Sequence, residues 1–137
     1  RLVGQAFLTP QQGEAVEPER IAAFFASPVG QELMASTSLH REFKFSILVP
    51  ARDYYPGAGA QEQVLLQGVV DCYFETPEGI TVVDFKTDRV TKRTVAERAE
   101  HYRPQLEAYS RALEEITGKP VIRRCLWFFA LDQAVDV

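Results

Sequence analysis

Two aspartates and a lysine stand out in Gly68–Val90, GVVDCYFETPEGITVVDFKTDRV, because they interrupt runs otherwise rich in Val, Phe and Tyr. Twelve residues separate Asp71 from Asp84, and Lys86 follows Asp84 by two. Between the acids, Thr76-Pro77-Glu78-Gly79 has Pro second and Gly fourth, the composition of a type I turn. A hairpin centred between Pro77 and Glu78 sets Asp71 directly across from Asp84, with Cβ atoms roughly 4.5–5.5 Å apart. Lys86 shares their face and Phe85 points away, by the period of two. Carboxylates opposed in this way repel, and a divalent cation relieves the repulsion. Two carboxylates plus a phosphate oxygen is a common way to hold Mg²⁺. Such a cation polarises a phosphate and acidifies a water, while an adjacent lysine stabilises charge on phosphorus. The trio therefore suits phosphodiester hydrolysis. The alternative is an Asp–Lys–Asp ion-pair cluster at a sheet edge, although apolar residues would serve stability better there.

The elements that must carry these residues follow from the periodicity. Residues 1–18 read as a loop. Pro18–Ser27 reads as a short helix with Ile21, Phe24 and Phe25 on one face, and Ser27-Pro28 as a cap and first position opening a second, through about Met34. Ser38–Pro50 alternates Leu39, Arg41, Phe43, Phe45, Ile47 and Val49 against polar neighbours, which predicts a strand. A Gly/Pro-rich loop at Arg52–Gln63 leads into the hairpin. Thr87–Tyr102 reads as a polar connection, partly helical from about Thr94. A helix follows with Pro104 in its first turn, Leu106, Tyr109, Leu113 and Ile116 on its apolar face, and Gly118 and Pro120 at its end. Val121–Leu131 is a last strand. The order α-α-β-β-β-α-β is an α/β fold, a mixed sheet flanked by helices. The 137 residues fit one domain, with residues 1–37 as a helical and loop lead-in and 38–137 as the core.

Composition narrows the functional class. The chain is 46% hydrophobic and 25% charged, without an apolar run long enough for a membrane helix or a secretory signal at its start. Cys72 and Cys125 stand far apart with no CxxC and no Cys/His cluster, which excludes common zinc and iron–sulfur patterns and fits buried thiols in a reducing, cytoplasmic compartment. The net charge of −4 excludes a simple electrostatic nucleic-acid binder. Basic residues nevertheless gather after the hairpin, at Lys86, Arg89, Lys92, Arg93, Arg98, His101 and Arg103. Arg89 and Lys92 are candidates to hold a phosphate backbone, against the alternative of a solvated loop and helix face. No G-x(4)-GK[ST] loop is present, so no ATP site is expected in this chain.

Asp-x(12)-Asp-x-Lys on a hairpin resembles the signature of the PD-(D/E)xK nucleases, which share the restriction-endonuclease-like fold. GVVD at Gly68–Asp71, DFKTD at Asp84–Asp88 and QLEAY at Gln105–Tyr109 resemble, in order, the motifs of the RecB-type branch. From about Leu39 to the end, including the final WFFAL, the chain is similar to the C-terminal nuclease domains of AddA-type helicase–nuclease subunits. The resemblance implies Asp71 and Asp84 as ligands of Mg²⁺, or of Mn²⁺ in its place, joined by the backbone carbonyl of Phe85. It implies Lys86 as the catalytic lysine and Gln105 and Tyr109 as residues beside the active site that hold DNA. Taken alone, Gln105 reads rather as a helix-start residue and Tyr109 as a core aromatic, and it is DFKTD beside them that favours function; Asp88 reads as a cap or a partner of Arg89.

The function implied is a metal-dependent DNase, exonucleolytic, in double-strand break processing and recombinational repair. The partners implied are DNA, helicase domains of a parent chain and a second helicase–nuclease subunit. One departure stands against it. The family's further ligand, a His or Glu on a helix before the sheet, has no recognisable counterpart: His40 and Glu42 lie in a strand pattern, and Glu32 has no matching context. Arg1 is not a natural start, so that ligand is expected upstream. A catalytically silent DNA-binding or subunit-docking module is the second reading, and a salt-bridged structural domain the third.

Overall fold

The computed structural model describes residues 16–137, so most of the expected N-terminal loop lies outside the described residues. Helices α1 (Pro18–Ala26) and α2 (Pro28–Ala35) come first, then strand β1 (Leu39–Pro50) and a 3₁₀ turn at Ala51–Asp53. Strands β2 (Gln63–Thr76) and β3 (Gly79–Lys86) form the hairpin. Helix α3 (Val95–Thr117) and strands β4 (Val121–Phe128) and β5 (Gln133–Asp136) complete the fold. The five strands make one mixed sheet in the order β1-β2-β3-β4-β5. Only β3 and β4 run parallel, and α3 is the crossover that joins them. Ser27 caps α2 as expected, accepting from the Gly30 N–H at 3.1 Å.

Helices pack on both faces of the sheet. Phe24, Val29 and Leu33 of the first two helices pack with Cys72, Phe74, Val83, Phe85 and Trp127 on one side. On the other side Leu106, Tyr109, Ala112 and Leu113 of α3 pack with Phe45, Tyr73, Val82 and Phe128. The first helices thus pack into one half of the core. Both cysteines are buried free thiols. Among the described residues no helix is long and apolar enough to cross a membrane.

The hairpin takes the expected register. Thr76 pairs with Gly79 and Cys72 with Val83, leaving Pro77-Glu78 as the turn. Gly79 has φ 154°, and a Cβ there would lie 2.5 Å from the Pro120 carbonyl oxygen, so the approach of β3 to the end of α3 requires glycine.

Three features depart from expectation. β5 is an added strand, paired antiparallel with β4 after a turn in which Asp132 has φ 48°. Helix α3 runs unbroken for 23 residues with Pro104 inside it rather than in its first turn. Pro104 is exposed, so water rather than the core meets the carbonyl left without an N–H donor. The apolar face of α3 uses Ala112, while Ile116 is exposed.

The alternation of β1 also breaks. Leu39 packs on the side of the first helices, whereas Phe43 and Ile47, of the same parity, pack under α3. The break falls at Glu42, whose φ is 49°. The facing strand switches with it: Val70 packs under α3 while Cys72 packs on the opposite side. The interstrand pairs run Arg41–Cys72 and then Phe43–Val70, so the skipped position sets Glu42 across from Asp71.

Candidate active site

Asp71 lies one residue beyond the last β2–β3 pair, at the place where β2 changes face. Its side chain takes over from the ladder: Oδ2 accepts the Phe85 backbone N–H at 2.9 Å. The register brings Asp84 opposite, on the α3 side of β3, where it is 3% exposed. Lys86 lies two residues on, with Nζ 2.6 Å from Asp84 Oδ2. This is an ion pair by distance without hydrogen-bond alignment, since Asp84 Oδ2 is buried and has no hydrogen-bond partner. The intervening Phe85 points to the other face, where its ring meets Phe24 edge-on at 4.9 Å between centroids.

Helix α3 supplies the opposite wall. Lys86 Nζ donates to Gln105 Oε1 at 2.8 Å, and Gln105 Nε2 donates to the Tyr109 hydroxyl at 2.9 Å. Gly68 leaves room for Tyr109, since a Cβ there would lie 3.4 Å from the Tyr109 ring and 3.1 Å from that of Phe45. The third side of the ammonium is covered by Tyr102, whose ring centroid lies 3.8 Å from Nζ. A cation over an aromatic face contributes about 0.5–1 kcal/mol when exposed and about 2 kcal/mol when desolvated. The Tyr102 hydroxyl bonds both Asp88 oxygens, at 3.0 and 2.8 Å, and Arg98 stands 3.6 Å from Asp88.

The electrostatics follow from this crowding. Burial pushes the Asp84 carboxyl up to about 7; the Asp71 charge adds to the shift and Lys86 opposes it. Burial and the Asp84 and Asp71 charges raise the Tyr109 hydroxyl, so it stays neutral. Burial and Asp88 raise Tyr102 to about 12.

The structure therefore brings Asp71, Asp84, Lys86, Gln105 and Tyr109 together from β2, β3 and α3. It leaves Arg89 and Lys92 apart, exposed on the loop before α3, where among the described residues neither pairs with an acid. The basic strip is thinner than its composition suggests, because Lys86, Arg98 and Arg103 are engaged by Asp84, Asp88 and Glu100. Asp88 pairs with Tyr102 and Arg98 rather than with Arg89. Tyr102 is the residue that the sequence reading passed over; its spacing of three before Gln105 and seven before Tyr109 places all three on one helix face.

The donor set fits a hard divalent cation. Two carboxylates converge, both oxygen donors, and one buried oxygen lacks a hydrogen bond. Among the described residues no group of three or more His, Cys, Asp or Glu side chains gathers to hold a metal. His40 stacks on Tyr73 and stands 3.7 Å from Glu75, Glu32 faces Arg123, and Glu42 is exposed.

A two-acid, one-lysine hairpin on a mixed sheet is the arrangement of a nuclease family, and the chain belongs to the PD-(D/E)XK nuclease superfamily, whose family model it matches over residues 4–135. More particularly, it is 43% identical over 132 residues to an ATP-dependent helicase/nuclease subunit of Acetivibrio thermocellus, a match covering 93% of this chain and 11% of that protein. The subunits of the same name from Carboxydothermus hydrogenoformans and Desulforudis audaxviator are 40% and 39% identical, over 99% and 88% of this chain and 12% and 10% of theirs. The chain thus spans 10–12% of the length of these curated relatives.

Proposed function

We propose that the chain is the nuclease domain of a helicase–nuclease and hydrolyses phosphodiester bonds of DNA with Mg²⁺, or Mn²⁺ in its place. The reading rests on one observation above all: Asp84 is buried beside Asp71 and Lys86 at the end of a hairpin, with its Oδ2 2.6 Å from the Lys86 ammonium. Asp71 and Asp84 would hold the ion, joined by the Phe85 carbonyl. In a strand the N–H and C=O of one residue point to the same side, and the Phe85 N–H points to Asp71. The bound ion supplies Lewis-acid polarisation of a phosphate oxygen and an acidified water.

The chain's own residues do the rest. The ammonium of Lys86, beside Asp84, stabilises charge that develops on the scissile phosphate. Gln105 restrains that ammonium through its amide oxygen and Tyr109 fixes the amide orientation, while the exposed flank of Gln105 faces the DNA strand. Arg89 and Lys92 contact phosphates further along.

In this reading the enzyme acts from a strand end, in the cytoplasm, on DNA delivered by helicase domains of a parent chain paired with a second subunit. It serves double-strand break processing and recombinational repair. The test is cleavage of single-stranded DNA by the chain with millimolar Mg²⁺ or Mn²⁺, with and without EDTA, using linear and circular substrates. Metal-dependent loss of the linear form alone is expected, and Asp84→Ala should abolish it. Binding of DNA without cleavage under every metal condition, by this chain and by one extended upstream to include the expected further ligand, would replace this reading with that of a silent DNA-binding module.

A further inference from the structure

We propose that Tyr102, anchored by Asp88, is a positioning residue that holds the ammonium of Lys86 in place; the inference rests on the nuclease reading for its catalytic consequence, not for its geometry. Lys86 Nζ has three neighbours: Asp84 Oδ2 at 2.6 Å, Gln105 Oε1 at 2.8 Å and the Tyr102 ring centroid at 3.8 Å. Two of the three come from α3, one turn apart, and one from the lysine's own strand. The Asp84 contact is the one that a competing cation at the acid pair would weaken, since both charges seek the same carboxylate. The α3 contacts are independent of that competition. Gln105 offers a single hydrogen bond, which fixes a distance but leaves the ammonium free to swing about it. A ring face at 3.8 Å closes that freedom on the remaining side.

A ring can do this only if it is itself fixed. Tyr102 is held at its far end by both oxygens of Asp88, which leaves β3 two residues after Lys86. Arg98, one helical turn before Tyr102, stands against the same carboxylate at 3.6 Å. The path from Lys86 through Tyr102 to Asp88 returns to the same strand end, so the ring and the lysine share one frame. The aspartate of the DFKTD segment thus acts through the tyrosine, without touching the acid pair.

The test uses the 137-residue chain without metal, labelled at lysine, and reads the Lys86 side chain by NMR, assigned by its loss in Lys86→Arg. In the wild type the ε-methylene protons should be shifted upfield by the Tyr102 ring current. Tyr102→Leu should return them to the position of an exposed lysine, whereas Tyr102→Phe and Asp88→Asn, which keep the ring and loosen its anchor, should each reduce the shift without abolishing it. With Mn²⁺, single-turnover cleavage should fall about 30-fold in Tyr102→Leu, the rate equivalent of one desolvated cation–π contact. DNA affinity should be unchanged, and Tyr102→Phe should recover the rate to within about 3-fold of wild type. Should Tyr102→Leu not fold, the Asp88→Asn shift and rate carry the same test. An unshifted Lys86 signal in the wild type would overturn the proposal, as would equal loss of rate in the Phe and Leu variants. Weaker DNA binding at unchanged rate would instead make Tyr102 a DNA contact. If the wild type does not cleave, even when extended upstream to include the expected further ligand, the nuclease reading fails, and the NMR result alone decides whether the ring holds the lysine.

Discussion

Phe85 and Asp84 are neighbours on β3 and look into opposite halves of the molecule. On the side of α1 and α2, Phe85, Cys72, Phe74, Val83 and Trp127 pack against Phe24 with aromatic edges meeting faces. On the side of α3 the alternate residues of the same strands begin as core, at Tyr73 and Val82, and end as Asp71, Asp84 and Lys86. The two halves share a backbone and differ in what the side chains cost. One half buries surface that water does not want. The other buries a carboxylate that water does want, beside a second carboxylate, and offsets this with one ammonium. Stability and chemistry are therefore separated by the period of two, and the conflict is confined to one end of one face.

Substitutions that respect this division should separate the two properties. Phe24 is 1% exposed and touches the rings of Phe25, Phe85 and Trp127. Phe24→Ala should lower the free energy of unfolding by about 3–5 kcal/mol, as for other aromatic truncations in cores. Asp84→Asn, equally buried, should lose none in metal-free buffer at pH 8. Urea titration of both variants measures the contrast. If Asp84→Asn lost as much as Phe24→Ala, the acid would be a structural pillar and the division false.

A second contrast is in pH. The Asp84 carboxyl titrates near 7 in the folded chain because burial and Asp71 disfavour its charge. Unfolded, it returns to about 3.9. Between these values the native state holds a proton that the unfolded state has lost. Stability from this group is complete below the unfolded value and falls as pH rises towards 7, then levels. The melting temperature in EDTA should therefore be lower at pH 8 than at pH 5, and Asp84→Asn should flatten that part of the profile. A profile unchanged by the substitution would assign the fall to another group. Lys86→Ala comes next in size, with single-turnover cleavage reduced on the order of 10²-fold, as for other positioned charge stabilisers. DNA affinity should survive; its collapse with the rate intact would make Lys86 a phosphate anchor.

The acids and their register were legible because three local rules agree: the Pro-Glu turn, the pairing it centres and the alternation of side chains. What escaped had weaker local signals. β5 is only four residues long, half-exposed and mixed in polarity, so tertiary pairing with β4 rather than its own pattern makes it a strand. Pro104 is a strong helix-start signal, overridden here because its missing donor lies on the exposed side of α3. The switch of face at Glu42 and Asp71 is invisible in sequence, since apolar residues of the same parity lie on both sides of it. Alternation from Cys72 and Tyr73 already sets Asp71 on the α3 side, and the switch brings Val70 to that side as well. Tyr102 went unremarked because its meaning depends on Asp88 and Lys86, which reach it only across the fold.

The smallest expected effect concerns the cations that the site does not use. Lys86, Arg98 and Arg103 each have an acid within ion-pair distance, and the structure thereby removes them from the pool available to a phosphate backbone. Arg89 and Lys92 are exposed, precede α3 by only a few residues and follow Lys86 closely along the chain. A strand entering the acid pair past Gln105 would pass that loop. Their contribution is electrostatic and additive rather than positional, so it should appear in affinity and not in the chemical step. Arg89→Gln with Lys92→Gln should weaken single-stranded DNA binding a few-fold at low salt. The slope of log affinity against log salt should fall by about 0.7 for each phosphate no longer neutralised. The rate at saturating DNA should match wild type. Fluorescence anisotropy across a salt series, with single-turnover cleavage beside it, measures both. An unchanged slope would show that the loop stands clear of the DNA, and a slower rate at saturation would extend the site beyond the hairpin and α3.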